Sequence, residues 1–105
     1  MSRGLGDVYK RQHLVCSAGM STSLLVNNMK KSAPADYVID AGPFAALEEI
    51  VDDYDVILVG PQVRFKLDDI KEICRKHGKR CALIDMRVYG RMDGKAAVEL
   101  AEKAE

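Results

Sequence analysis

From residue 13 onward, short continuous apolar runs alternate with apolar positions at helical spacing. His13 to Cys16 reads as the end of a strand. Residues 20–31 read as a helix, with Leu24, Leu25 and Met29 as its apolar stripe. Ser21, Thr22 or Ser23 is placed to cap that helix, because a hydroxyl oxygen accepts from the otherwise unpaired first-turn N–H groups. Pro34 lies beyond its end, and Tyr37 to Asp40 forms a second, short strand. Gly42-Pro43 opens the next helix, with proline at the tolerated first turn. Phe44, Leu47, Ile50, Val51 and Tyr54 share one face of it. Val56-Ile57-Leu58-Val59 is an unbroken apolar run ending at Gly60-Pro61, which suits a strand covered on both faces. Residues 66–77 form a helix that turns Leu67, Ile70, Ile73 and Cys74 inward, with Gly78 as its C-cap. Cys81 to Ile84 is the fourth strand. Residues 86–92 read as a loop, and residues 93–104 as a last helix with Ala97, Leu100, Ala101 and Ala104 on one side.

Strand and helix therefore alternate four times. That pattern predicts an α/β fold: an open four-stranded parallel sheet with right-handed crossovers and helices on both faces. The expected strand order is flavodoxin-like, 2-1-3-4. Ligands of such sheets bind at the carboxyl ends of the strands, beside the switch point at the first strand. Cys16 falls there.

Composition narrows the functional classes. The chain has 105 residues, the length of one domain. Its 16 basic and 16 acidic residues cancel, so no basic excess marks a nucleic-acid partner. The cluster Arg75-Lys76-His77-Gly78-Lys79-Arg80 reads as a solvated helix end, where cations suit the dipole. No apolar run reaches the roughly 20 residues that cross a bilayer, and no signal-peptide core is present, so a cytoplasmic protein without membrane insertion is expected. Three widely spaced cysteines argue for free thiols in a reducing compartment. No CxxC, HExxH or carboxylate–histidine cluster suggests a metal, and no cofactor is implied. A monomer is the default expectation.

Residues 2–12, SRGLGDVYKRQ, show neither strand nor helix period. They resemble the conceptual translation of a sequencing-library adaptor, so residues 1–12 are expected to be foreign and residues 13–105 the domain proper. Lys10 to Gln12 can stand in for the start of the first strand, since a backbone ladder accepts almost any side chain.

The stretch CSAGMSTS, Cys16 to Ser23, carries the candidate chemistry. A loop of small residues between strand and helix can aim successive N–H groups inward, and Gly19 permits a tight turn. The helix N-terminus adds partial positive charge, so Ser17, Ala18, Gly19, Met20, Ser21, Thr22 and Ser23 form a candidate phosphate cradle. The same field favours the thiolate, the nucleophilic form of cysteine. Nucleophile and cradle together suggest a phosphocysteine on Cys16. Cys74 and Cys81 instead read as small buried hydrophobes. His13 and His77 have no acidic or thiol neighbour in sequence and read as satisfied or solvated.

Two other classes compete. Low-molecular-weight tyrosine phosphatases place an arginine six residues after the cysteine, where it clamps the phosphoryl group; here that position is Thr22. Asp85 and Asp93 are candidate general acids only by composition. A non-catalytic regulatory module is the third reading, and it would be indifferent to alkylation of Cys16.

CSAGMSTSLLV after a strand, then DVILVGPQV, then ALIDMRVYGRMDG resemble the IIB component of the lactose/cellobiose family of the phosphoenolpyruvate-dependent sugar phosphotransferase system (PTS). The resemblance runs from His13 to the end of the chain. It implies a phosphotransferase: Cys16 would take the phosphoryl group from a phosphohistidine on the EIIA partner and pass it to a sugar held by the membrane-embedded EIIC transporter. A cellobiose-type β-disaccharide is the expected sugar. Gln62 and Tyr89, after the third and fourth strands, are candidates for lining the site or touching a partner.

Overall fold

The computed structural model describes residues 10–16 and 20–104. Four strands, β1 (Arg11–Val15), β2 (Val38–Gly42), β3 (Val56–Val59) and β4 (Arg80–Leu83), form one parallel sheet in the order β2-β1-β3-β4. Fold class and strand order are those read from the sequence. Arg11 and Gln12 pair with Val38 and Ile39, so main-chain bonds extend β1 ahead of His13.

Helices cover both faces. On the first, α1 (Met20–Ser32) and α5 (Gly94–Glu102) pack together over Leu14, Val56 and Leu58. Leu25 and Met29 of α1 are fully buried there, whereas Leu24 is 55% exposed and lies outside the core the sequence assigned it to. Gly94 opens α5 hard against α1: a Cβ on it would sit 2.2 Å from the Asn28 carbonyl carbon. Only glycine permits that approach.

On the second face, the single helix expected after Gly42 is broken. It comprises a 3₁₀ turn Phe44–Ala46, the one-turn α2 (Leu47–Ile50) and a second 3₁₀ turn Val51–Asp53. Gly42 ends β2 instead of starting a helix. The apolar spacing was real, since Leu47 and Val51 are buried against Val15 and Ile57, but the backbone departs from α geometry at Ala46 (φ −93°) and Ile50 (φ −115°), which divide the segment. A 3₁₀ stretch, Pro61–Lys66, then leads into α3 (Leu67–His77). Gly78 closes α3 at φ 69°, left-handed as a C-cap glycine should be.

Residues 86–92 are not a loop throughout. Met86–Gly90 forms a short helix, α4, because Asp85 caps it by accepting from Arg87 N at 3.0 Å. Asp93 caps α5 in the same way, accepting from Ala96 N at 3.1 Å. Both aspartates thus serve helix starts. Met92, between the two helices, takes φ 52°, and Asn28 Nδ2 donates to its carbonyl at 2.8 Å. That bond ties the α4–α5 connection to α1.

Candidate functional site

Three main-chain hydrogen bonds join the four strand ends where β1 stops. Cys16 N donates to Gly42 O at 3.2 Å, Gly60 N to Val15 O at 2.8 Å and Ile84 N to Val59 O at 2.8 Å. The carboxyl ends of β2, β1, β3 and β4 are thereby set side by side, with Cys16 at the switch point between β1 and β3.

Cys16 is only 2% exposed, but polar groups surround its sulfur. Thr22, in the first turns of α1, donates its hydroxyl to Sγ at 2.9 Å. Tyr89, on α4, places its hydroxyl 3.0 Å from Thr22 Oγ1 and 3.6 Å from Sγ. Since Thr22 spends its one proton on sulfur, Tyr89 must donate to Thr22. Gln62, from the 3₁₀ stretch after β3, brings Oε1 to 3.4 Å from Sγ, where the thiol donates to it. Side chains far apart in sequence (positions 16, 22, 62 and 89) thus meet at one sulfur atom.

Of the residues singled out from the sequence, Cys16, Thr22, Gln62 and Tyr89 come together. Thr22 is buried and does not cap α1, as its hydroxyl is turned to sulfur. Met20 and Ser21 begin α1, and Ser23 is exposed on it. Ser17, Ala18 and Gly19 lie outside the described residues.

One contributor to the site and one buried group on the opposite face of the sheet escaped the sequence reading. Gly60 is one: a Cβ there would lie 3.1 Å from Gln62 Oε1 and 3.2 Å from Cys16 Sγ, so its missing side chain makes room for their contact. The Gly-Pro pair after β3 was visible, but it reads as an ordinary strand terminator. His13 is the other. It was expected to be satisfied or solvated, yet it is 5% exposed and neither ring nitrogen has a hydrogen-bond partner. Its ring packs on Tyr54 with centroids 4.7 Å apart, and Gly42 leaves space for Nε2. Burial lowers its pKa, against the pull of Asp40. Tyr54 in turn donates to Asp40 Oδ2 at 2.9 Å, and burial followed by that bond pushes its phenol up to about 12. His77 behaves differently, meeting Asp52 Oδ1 through Nδ1 at 2.9 Å.

Among the described residues no three metal-binding side chains come together, and no helix is long and apolar enough to cross a membrane.

Comparison with known proteins decides the family. Residues 13–100 match the family described as PTS system, Lactose/Cellobiose specific IIB subunit. The chain belongs to that family. It is 37% identical over 95 residues to the oligo-beta-mannoside-specific EIIB component of Bacillus subtilis, covering 88% of this chain and 92% of that one. The solution structure of a cellobiose-specific IIB component from Borrelia burgdorferi superposes with a TM-score of 0.69 at 37% identity, over 87% of this chain and 86% of that one. A lactose-specific EIICB component of Staphylococcus epidermidis is 30% identical over 96 residues, which span 86% of this EIIB chain and 16% of the longer protein. This EIIB chain is thus a sugar phosphotransferase component of lactose/cellobiose type.

Proposed function

We propose that this EIIB protein carries a phosphoryl group on Cys16, between a phosphohistidine of EIIA and a sugar bound to EIIC. The observation that carries the reading is the Thr22 hydroxyl at 2.9 Å from Cys16 Sγ, in the position where a cysteine hydrolase needs an arginine. Among the described residues, the polar groups that touch sulfur, from Thr22, Tyr89 and Gln62, carry no formal charge. They orient the sulfur without clamping what it holds.

The first step breaks the N–P bond of the phosphohistidine and forms an S–P bond on Cys16, whose thiol proton passes to the histidine nitrogen that is set free. The second breaks S–P and forms O–P on a sugar hydroxyl, whose proton returns to the Cys16 sulfur. Phosphoryl transfer asks for in-line placement and dispersal of charge more than for covalent help. Thr22 and Tyr89 supply placement: a buried hydroxyl chain fixes the sulfur's direction from two helices at once. The segment 17–23 would cradle the phosphoryl oxygens through backbone N–H groups. Transfer to EIIC places the chain at the cytoplasmic face of the membrane. The EIICB relative, in which the matching EIIB portion forms part of a longer chain, supports that partnership.

The test is transfer from phosphorylated EIIA of a cellobiose-type system. Cys16 is expected to gain the label, and Cys16→Ser is expected to fold and gain none. Label accepted equally by the variant would overturn the carrier reading, and steady aryl phosphate turnover lost with Cys16 would establish a hydrolase. Adding membranes that contain EIIC, with cellobiose or lactose, tests the sugar, and faster discharge by cellobiose is expected.

A further inference from the structure

The remaining two cysteines sit at the other end of the sheet. Cys74 lies in the last turns of α3 and is 1% exposed, while Cys81 is the second residue of β4 and half-buried. The chain reverses between them at Gly78, and Lys79 N donates to Cys74 O at 2.8 Å. That turn lays the end of α3 on the start of β4 and packs Cys81 against the apolar cluster that holds Cys74. A cavity of about 540 Å³ opens beside them, lined by Lys71, Cys74, Arg75, Gly78, Lys79 and Cys81.

The two sulfurs are unequal. Its neighbour Cys81 and its burial push the Cys74 thiol up. Its neighbour Cys74 pulls Cys81 down against the opposing effect of burial, and the Lys71 ammonium adds to the lowering. Arg75 is engaged by Glu72, and Lys79 reaches Asp52 O at 3.4 Å, so Lys71 is the cation that acts on Cys81. A partly exposed thiol next to a cation and a second thiol is the setting of reactive cysteines rather than inert ones.

We propose that Cys74 and Cys81 form an oxidisable pair, in which Cys81 reacts with hydrogen peroxide and Cys74 closes an intramolecular disulfide. In the first step the Cys81 sulfur attacks one peroxide oxygen. The O–O bond breaks, leaving a sulfenic acid on Cys81 and releasing one water. The Cys74 sulfur then attacks the sulfenic sulfur; the S–O bond breaks, S–S forms, and a second water leaves with the Cys74 proton. Two thiols lose two electrons and one peroxide gains them. The pair stands apart from Cys16, and its oxidation does not depend on phosphoryl transfer.

The experiment treats the fully reduced chain with stoichiometric hydrogen peroxide and follows mass. Trypsin cuts at Arg75, Lys76, Lys79 and Arg80, so the disulfide appears as two joined peptides, one carrying Cys74 and the other Cys81. That product is expected in the native protein and in Cys16→Ser. Cys81→Ser, a change at the half-buried position, is expected to abolish it. Cys74→Ser is expected to leave a sulfenic acid on Cys81 that a 1,3-dicarbonyl reagent traps. Cys81 is expected to react at least ~10-fold faster in the folded chain than in urea, as an activated thiolate should. Peroxide consumed at Cys16 alone, a Cys81 sulfenic acid that persists beside intact Cys74, or equal rates folded and unfolded would each overturn the proposal.

Discussion

The two faces of the sheet are built differently. The first carries two regular helices locked by Gly94 and by the Asn28–Met92 bond, and it supplies Cys16, Thr22 and Tyr89. The second carries a broken helical segment beside the regular α3, a buried imidazole without hydrogen bonds and a thiol pair. Positional accuracy is concentrated on the face that holds the sulfur's partners. Directional groups such as Thr22 and Tyr89 act only if their helices cannot shift, whereas apolar packing on the other side tolerates irregular backbone.

Breaking the first face should have the largest effect. Gly94→Ala puts a Cβ into the Asn28 backbone, which no side-chain rotation relieves, so a loss of about 3 kcal/mol or more is expected by urea denaturation. A loss within about 1 kcal/mol of wild type would mean that α5 slides freely on α1.

Thr22→Val removes the hydroxyl from between Cys16 and Tyr89 at nearly constant volume. Acceptance of phosphate from EIIA should slow on the order of tenfold, while the Tyr89 hydroxyl, left buried, costs about 1–3 kcal/mol of stability. Single-turnover labelling reads the first and denaturant midpoints the second. Unchanged labelling would strip Thr22 of its positioning role.

His13 probes the second face. Its folded pKa is depressed below 6.5, so near pH 6 the unfolded chain binds more protons than the folded one. Stability is full above 6.5 and declines as pH falls toward the folded value. His13→Phe keeps the ring against Tyr54 and should flatten the fall in urea midpoint between pH 7 and pH 5. An equal slope in the variant would assign the acid sensitivity elsewhere.

The smallest effect is expected where the faces meet. Gly60→Ala crowds Gln62 Oε1 at 3.1 Å, which a small tilt of the Gln62 side chain relieves, and Cys16 Sγ at 3.2 Å, which has to give by a few tenths of an ångström. A stability cost of about 0.5–1 kcal/mol with a mild slowing of transfer is expected, with Gln62→Ala partly restoring the rate in the double variant.

The sheet was legible because its strands are written as apolar runs punctuated by Gly-Pro, Gly and Pro. Val56 to Val59 needed no more than that to be placed at the centre. The broken segment 44–53 was misread because its apolar spacing obeys a helical period even though the backbone does not. The α4 helix was missed for the opposite reason: five residues hold too little periodicity, and its start is set by one aspartate side chain. At the site, Cys16 stood out by its position at a strand end. That Thr22, Gln62 and Tyr89 reach it depends on helix phase and on the close approach at Gly60, which follow from packing rather than from spacing. His13 resembled any strand histidine until Gly42 and Tyr54 were seen to enclose it.

Thr22 in place of an arginine bears on what a relay must do. A guanidinium would sink the cargo into a deep well, and every additional 1.4 kcal/mol or so of depth delays departure about tenfold. Uncharged groups around the sulfur, the Thr22 hydroxyl nearest at 2.9 Å, would keep the well shallow. On the proposed reading, the phosphorylated state then sits nearly level with its donor and its acceptor. Traffic through Cys16 would run either way, set by supply and demand at the two ends.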